Sequence, residues 1–385
     1  MSEAERLKAE IRRAAAALGF ARCGFAAPRS SPQSVAALER WLAAGHDAGM
    51  AYMRDAVAER CQISHLRPST STVVVVALDC PPTPGAAPMV AAYARGADYH
   101  LVLHRKLLAL RERCHTLAGV ALTSRITIDS APVLERDLAM RAGIAFIGKS
   151  TMAIALGLGS YVLFGELLVD LALPPDPPVA RRCGRCTLCL DACPTCAIVA
   201  PYVVDARRCI SYWTIEFRGV IPRVLRPAFG AWVVGCDACQ QVCPHNAGRH
   251  DGLTVPELAP RAALQTPDLI QWLDLSTGDY RRLSRGTTLK RLSRRQLARN
   301  AAVALGNLAD RDALPALQQA LCRHHSPLVR AHAAWAFGRL QGDVEVLRRA
   351  SREDPDETVR EEAAVAASAS GGAAHETSSS TTTGA

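Results

Sequence analysis

Hydrophobic and polar positions follow different rhythms along the chain. Leu7, Ile11, Ala15 and Leu18 recur at helical spacing and predict an amphipathic first helix. Val73-Val74-Val75-Val76-Ala77-Leu78 is an unbroken β-branched run of the buried-strand type, closed by Pro81-Pro82. Leu101 to Ala118 is periodic and helical, and Arg125-Ile126-Thr127-Ile128 reads as a strand ending at Asp129. Ser130, with Pro132 in the first turn, then starts a helix running to Arg141, stopped by Gly143. Further strands flank a turn at Gly157-Leu158-Gly159. The reading is an α/β domain over residues 1–175.

Pro174-Pro175-Asp176-Pro177-Pro178 is a stiff linker into a cysteine-dense, turn-rich segment, residues 176–250. The last third is helical and repetitive. Leu297 to Gly306 matches Leu328 to Gly338, and Val359 to Ala364 starts a third copy. A period of about 30 residues with small residues on one face predicts stacked helix pairs of the HEAT type over 251–367. So few copies barely stand alone, so they are expected to dock on the rest. Gly, Ser, Thr and Ala dominate 368–385, read as a disordered tail.

Composition narrows the classes. The chain has 385 residues, 49% hydrophobic, with 45 Lys+Arg against 36 Asp+Glu. That allows two or three domains with real cores and excludes disorder over most of the length. The longest uncharged stretch, Ser150 to Gly165, is interrupted by glycines and is too short for a membrane span. Acidic residues before Arg12-Arg13 and helical spacing argue against an export signal, so a cytoplasmic protein is expected. Fourteen cysteines in a reducing compartment are expected to be ligands or catalytic groups, not disulfides.

Cys183-x2-Cys186-x2-Cys189-x3-Cys193-Pro194 is the bacterial ferredoxin run for a [4Fe–4S] cluster. Three thiolates at that spacing wrap three corners of one cubane, and the fourth serves a second cluster. The second half is Cys236-x2-Cys239-x3-Cys243-Pro244, with Cys209 upstream in place of the missing first ligand. Cys183, Cys186, Cys189 and Cys243 would hold one cluster; Cys193, Cys209, Cys236 and Cys239 would hold the other. A pair of structural zinc sites is the alternative, although Cys-x2-Cys-x2-Cys crowds a tetrahedral ion. Cys196 reads as a bystander. Two clusters form an electron relay, and its terminus, a second redox cofactor, belongs in the α/β domain.

With their surroundings, these runs resemble the epoxyqueuosine reductases. The matching pieces are Ala97 to His100, Ile128 to Val133, Ala142 to Lys149, Arg208 to Glu216, Cys236 to Pro244 and Arg299 to Asn307. The similarity covers about residues 5–365, and departs at Ser150 and Cys196, where the family usually has Asn and Gly. The resemblance implies an oxidoreductase with an α/β cofactor-binding domain (α+β overall), a ferredoxin-like insert with two [4Fe–4S] clusters, and a C-terminal HEAT-like region. It further implies a cobalamin and an external electron donor. The substrate would be epoxyqueuosine at the tRNA wobble position, with two electrons and two protons taken up and one water released.

A departing epoxide oxygen needs a proton. The resemblance makes Asp129 the donor, and burial against a corrin would keep its carboxyl protonated. The plainer reading is that Asp129 caps the following helix. By motif position the resemblance also assigns cobalamin contacts to Arg60, Ala153, Phe164, Ser211 and Asp237, with Lys149 a further candidate. His100 and His104, one helical turn apart, read as helix surface or packing.

Arg281, Arg282, Arg285, Lys290, Arg291, Arg294, Arg295 and Arg299 form a one-sign run with no acid among them, which points to tRNA phosphates. Arg323 and Arg330 would extend this face. A monomer acting on tRNA is expected. The alternatives are a corrinoid reductase of the reductive dehalogenase kind acting on a small molecule, and a zinc-stabilised RNA-binding module.

Overall fold

The computed structural model describes residues 2–82, 89–248 and 255–372. Its first part is built on a four-stranded sheet. Strands β1 (Arg22–Ala26), β2 (Thr72–Asp79) and β3 (Ser124–Thr127) are followed by a hairpin of β4 (Ala145–Ile147) and β5 (Ala153–Ala155), then by β6 (Val162–Val169). The sheet order is β1-β2-β6-β3, antiparallel throughout, so the domain is of the α+β kind.

The unbroken apolar run in β2 follows from cover on both faces. Val74, Val76 and Leu78 pack with Ile11 and Ala15 of the first helix, Glu3–Ala17, and with Leu103, Leu107 and Leu110 of the helix Tyr99–Ala118. Val73, Val75 and Ala77 meet Leu138, Ala139, Ala153 and Phe164 on the other side. Two-sided burial, commonest in parallel sheets, is here achieved by an antiparallel one. The linker is pinned, because Asp176 accepts from Arg12 at 2.6 Å and pairs with Lys8 at 2.9 Å.

Two boundaries differ from the sequence expectation. The helix expected from Ser130 begins at Glu135 and runs to Arg141, because residues 129–134 form a turn. The tail expected to be disordered from residue 368 begins as helix, since the last helix is Glu357–Gly372; residues 373–385 lie outside the described part.

The cysteine-dense segment carries only short elements, including the hairpin β7 (Ile198–Ala200) and β8 (Val203–Val204). It is sandwiched between the sheet domain and the helices Arg294–Leu308, Leu314–Arg323, Pro327–Arg339, Val344–Glu353 and Glu357–Gly372. The repeats dock through buried polar groups. Fully buried Arg299 donates to the carbonyls of Trp213, Phe217 and Gly219, and Asn300 donates to those of Thr214 and Val233. Arg226, also fully buried, forms a two-pronged ion pair with Glu362 at 2.6 and 2.9 Å. His332 accepts the Ile221 backbone N–H through Nε2 and reaches the Leu328 carbonyl through Nδ1, so one neutral tautomer satisfies both.

Candidate active site and cluster cavities

Asp129 sits on the turn after β3 with a backbone φ of +39°. A left-handed conformation costs a non-glycine residue about 1–3 kcal/mol and persists where neighbours hold it. Glu135 is one such neighbour, accepting the Asp129 backbone N–H on Oε1 at 3.1 Å. Asp129 does not cap the helix that follows, which starts six residues on without a side-chain cap. Its side chain is 42% exposed, so a substrate can reach it.

The first turn of the helix Tyr99–Ala118 faces this corner. Asp98 caps that helix, accepting the His100 N–H at 3.1 Å. The His100 ring spans two carboxylates, with Nδ1 2.8 Å from Asp98 and Nε2 3.2 Å from Asp129. Burial alone would lower its pKa, but the hydrogen bonds and charges of Asp129 and Asp98 raise it. The converse holds for Asp129. Burial pushes that carboxyl up, yet the bond and charge of His100, a bond from Tyr99 and the charge of Arg291 hold it below the usual carboxylate range. Both shifts favour an imidazolium–carboxylate pair.

Behind Asp129 stand two more carboxyls. Burial, then the charge of Asp129, raises Glu135 to about 7. Glu166 is fully buried in the middle of β6 and raised well above its usual value by burial and then by Glu135. Its Oε2 accepts from Thr127 at 2.8 Å, while Oε1 has no partner. A lone acid in the apolar run Val162–Val169 was the sequence signal for it. His100 was read as helix surface or packing, because Asp129, which its Nε2 faces, lies 29 residues further along the chain.

The expected cobalamin residues fall into three groups. Arg60 is buried, its charge reaches Asp129 and Tyr52, and its Nε is a buried donor with no partner. Such an unspent donor beside the open corner fits the amide-rich rim of a corrin. Ala153 and Phe164 are buried together with Ile63 and Leu138 and form an apolar wall. Ser211 bonds to Cys209, and buried Asp237 is engaged internally, accepting from the Ala92 N–H at 2.8 Å and from Gln240 at 2.9 Å. Asp237 therefore ties the second cysteine loop to the sheet domain. Lys149 Nζ donates to the carbonyls of Gly184 and Cys186, both at 2.8 Å, and so holds the first cysteine loop. His104 is exposed and takes no part.

Cys183, Cys186, Cys189 and Cys243 line one cavity of about 160 Å³ with Lys149, Arg182, Leu188 and His245. Cys193, Cys209, Cys236 and Cys239 form the second group. Burial raises Cys236 to about 12 and also raises Cys239 and Cys209, with mutual charge adding to it. All fourteen cysteines are free thiols. Among the described residues no three His, Cys, Asp or Glu side chains converge to hold a single ion. Thiols standing around a hollow suit a multi-iron cluster better than a tetrahedral zinc.

The basic run is divided. Arg281, Arg282, Arg285, Lys290, Arg291 and Arg295 are exposed, and Arg294 is half-buried, donating to the Leu275 carbonyl at 2.8 Å. Arg282 pairs with Asp279, and Arg291 pairs with Glu216 at 2.7 Å beside the Asp129 corner. Arg299 cannot meet a phosphate, since the docking seam buries it completely. Arg330 is likewise committed, to Asp354 at 2.8 Å.

Three family models match: the 4Fe-4S double cluster binding domain over residues 182–246, HEAT repeats over 287–368, and Epoxyqueuosine reductase QueG, DUF1730, over 60–130. The epoxyqueuosine reductase of Salmonella typhimurium is 38% identical over 333 residues, covering 84% of this chain and 85% of the relative. That of Pseudomonas aeruginosa is 40% identical over 336 residues, covering 84% and 91%. Among solved structures, an epoxyqueuosine reductase with an epoxyqueuosine-modified tRNA-Tyr stem loop superposes with a TM-score of 0.89 at 30% identity, covering 96% of this chain and all of that one. The Bacillus subtilis enzyme, described with its catalytic aspartate loop swung out of the active site, gives 0.85 at 29% identity, covering 95% and 100%. No helix among the described residues is long and apolar enough to cross a membrane. The chain belongs to the epoxyqueuosine reductase family of oxidoreductases.

Proposed function

We propose that this chain reduces epoxyqueuosine to queuosine at the wobble position of tRNA, in the cytoplasm, with two [4Fe–4S] clusters and a cobalamin as its cofactors. Residues 1–175 would hold the cobalamin, 176–250 the clusters, and the basic helical region from 251 onward the tRNA. The observation that carries the reading is the His100–Asp129 contact of 3.2 Å on an accessible, left-handed turn. The aspartate loop named for the Bacillus subtilis relative supports it.

Cobalamin, when bound, supplies a cobalt centre that takes up electrons at low potential and acts as a nucleophile or reductant. Arg60 would meet its amide rim through Nε, and Ala153 and Phe164 would give an apolar wall. The chain's own task is the proton. Asp129, loaded from His100 Nε2–H, delivers it to the departing oxygen, and the imidazole then takes its next proton from solvent. Closing the site over substrate removes water and raises Asp129, which moves the proton from imidazole to carboxyl. Glu135, raised to about 7, and Glu166, raised well above its usual value, would serve as nearby proton stores, and two protons are consumed per turnover.

The test is anaerobic reconstitution with iron, sulfide and cobalamin, then a strong reductant and mass analysis of nucleosides from an epoxyqueuosine-bearing stem loop. Queuosine formation is expected. Protein that takes up iron, sulfide and corrinoid yet leaves the epoxide intact would overturn the proposal.

A further inference from the structure

The two cysteine groups differ in access. The second lies between buried Asp237 and Gln240, which bond to Ala92 and Ser160 and tie it to the sheet domain. The first lines a cavity at the surface, and electrons from outside meet it first. The surface around that cavity has a definite character. Arg181, Arg182 and Arg185 are all exposed within five residues of chain. Arg181 is held in place, its guanidinium 4.1 Å from the centre of the Tyr202 ring. The only acid on the same loop, Asp191, accepts from Thr187 at 3.0 Å. Leu188, which lines the cavity with Arg182, is 48% exposed, and Val242, the residue before Cys243, is 36% exposed. Apolar spots inside a one-sign rim are the make-up of a small transient protein interface, and the sign selects an acidic partner.

We infer that Arg181, Arg182 and Arg185 form the docking face for a small acidic one-electron carrier protein, which delivers electrons to the cluster of Cys183, Cys186, Cys189 and Cys243. The inference rests on the cluster reading above. Each docking event oxidises the carrier by one electron and reduces the cluster by one. Two events supply the pair that epoxide reduction consumes with two protons. A tRNA phosphate contact would use the same arginines, but it has no use for exposed Leu188 and Val242, and it needs no place beside the outer cavity.

The experiment compares two reductants, dithionite and a chemically reduced acidic [2Fe–2S] ferredoxin, on the reconstituted full chain and on R181E/R185E. The expected result is a carrier-driven rate at least about tenfold lower in the variant, in keeping with lost electrostatic steering. The dithionite-driven rate, iron content and stem-loop affinity should stay at wild-type values. Added salt should slow the wild type with the carrier and leave dithionite turnover alone. R181Q/R185Q should fall between, and it replaces the reversal if that variant loads iron poorly. Equal carrier-driven rates in variant and wild type would overturn the inference. So would a parallel loss of stem-loop affinity, which would make this a nucleic-acid face. A wild type inert to dithionite would instead sink the cluster reading.

Discussion

The molecule has two dense groups of buried charge, and they are built on opposite terms. At the docking seam each buried charge has hydrogen-bond partners. Arg226 meets both oxygens of Glu362, Arg299 meets three carbonyls, and neutral His332 both donates and accepts. At the Asp129 corner the charges are mismatched: four carboxyls, Asp98, Asp129, Glu135 and Glu166, stand around one imidazole, Glu166 Oε1 and Arg60 Nε lack partners, and Asp129 sits in a left-handed conformation. Satisfied networks specify a structure, while unsatisfied ones mark where a proton or a ligand completes the set. The seam is therefore read as architecture and the corner as chemistry.

The comparison breaks first at its chemical end. Asp129→Asn keeps the shape and removes the transferable proton. Turnover should fall by about 10²–10⁴-fold, the usual range for a lost general acid, with iron content and thermal stability unchanged. Turnover within threefold of wild type would return Asp129 to a structural role. At the other end, Glu362→Ala should cost about 3–5 kcal/mol in denaturant unfolding, because it leaves Arg226 buried without a counter-charge. The double variant Arg226→Met, Glu362→Leu should recover much of that loss. If the single variant is as stable as wild type, the seam does not hold the repeats.

Much of the fold was legible because it rests on local pattern. The β2 run, the long helix to Ala118 and the repeats each advertise their burial in their spacing. The cysteine groups were legible too, since cubane chemistry fixes ligand intervals. What stayed hidden depends on partners distant in sequence. Arg299 belongs by composition to a phosphate-binding run, and only the carbonyls of 213–219 turn it inward. His100 looked like packing until β3 brought Asp129 to it. At Asp129 the imidazole works against burial, a pairing that the spacing of the two residues in the chain does not show.

Glu166 sharpens the contrast through pH. Its folded pKa is raised, so stability is full below its ordinary value and is lost as pH climbs from there towards the raised one. The loss runs at about 1.4 kcal/mol per pH unit inside that window, since the unfolded chain releases the proton that the folded one keeps. Glutamine has no proton to lose. Glu166→Gln should therefore match wild type near pH 4.5 and become more stable than it as pH rises to 8, while turnover falls a few-fold for want of the stored proton. A stability difference that shrinks with rising pH would show that Glu166 is ionised in the fold.

The smallest effect is expected on the exposed part of the basic run. Reversal of Arg281, Lys290 and Arg295 to Glu leaves the seam and the Arg291–Glu216 pair intact. If these side chains meet tRNA phosphates, stem-loop affinity should drop roughly tenfold at moderate salt. The slope of log affinity against log salt should flatten by about one for every phosphate no longer neutralised. Unfolding should move by less than about 0.5 kcal/mol, as befits surface charges. The same reversal at Arg299 should do the opposite, unfolding the seam with no flattening of the slope in whatever folded protein remains. An unchanged slope for the surface triple, with affinity intact, would move the tRNA off this face and leave the Asp129 corner as the place where the substrate approaches.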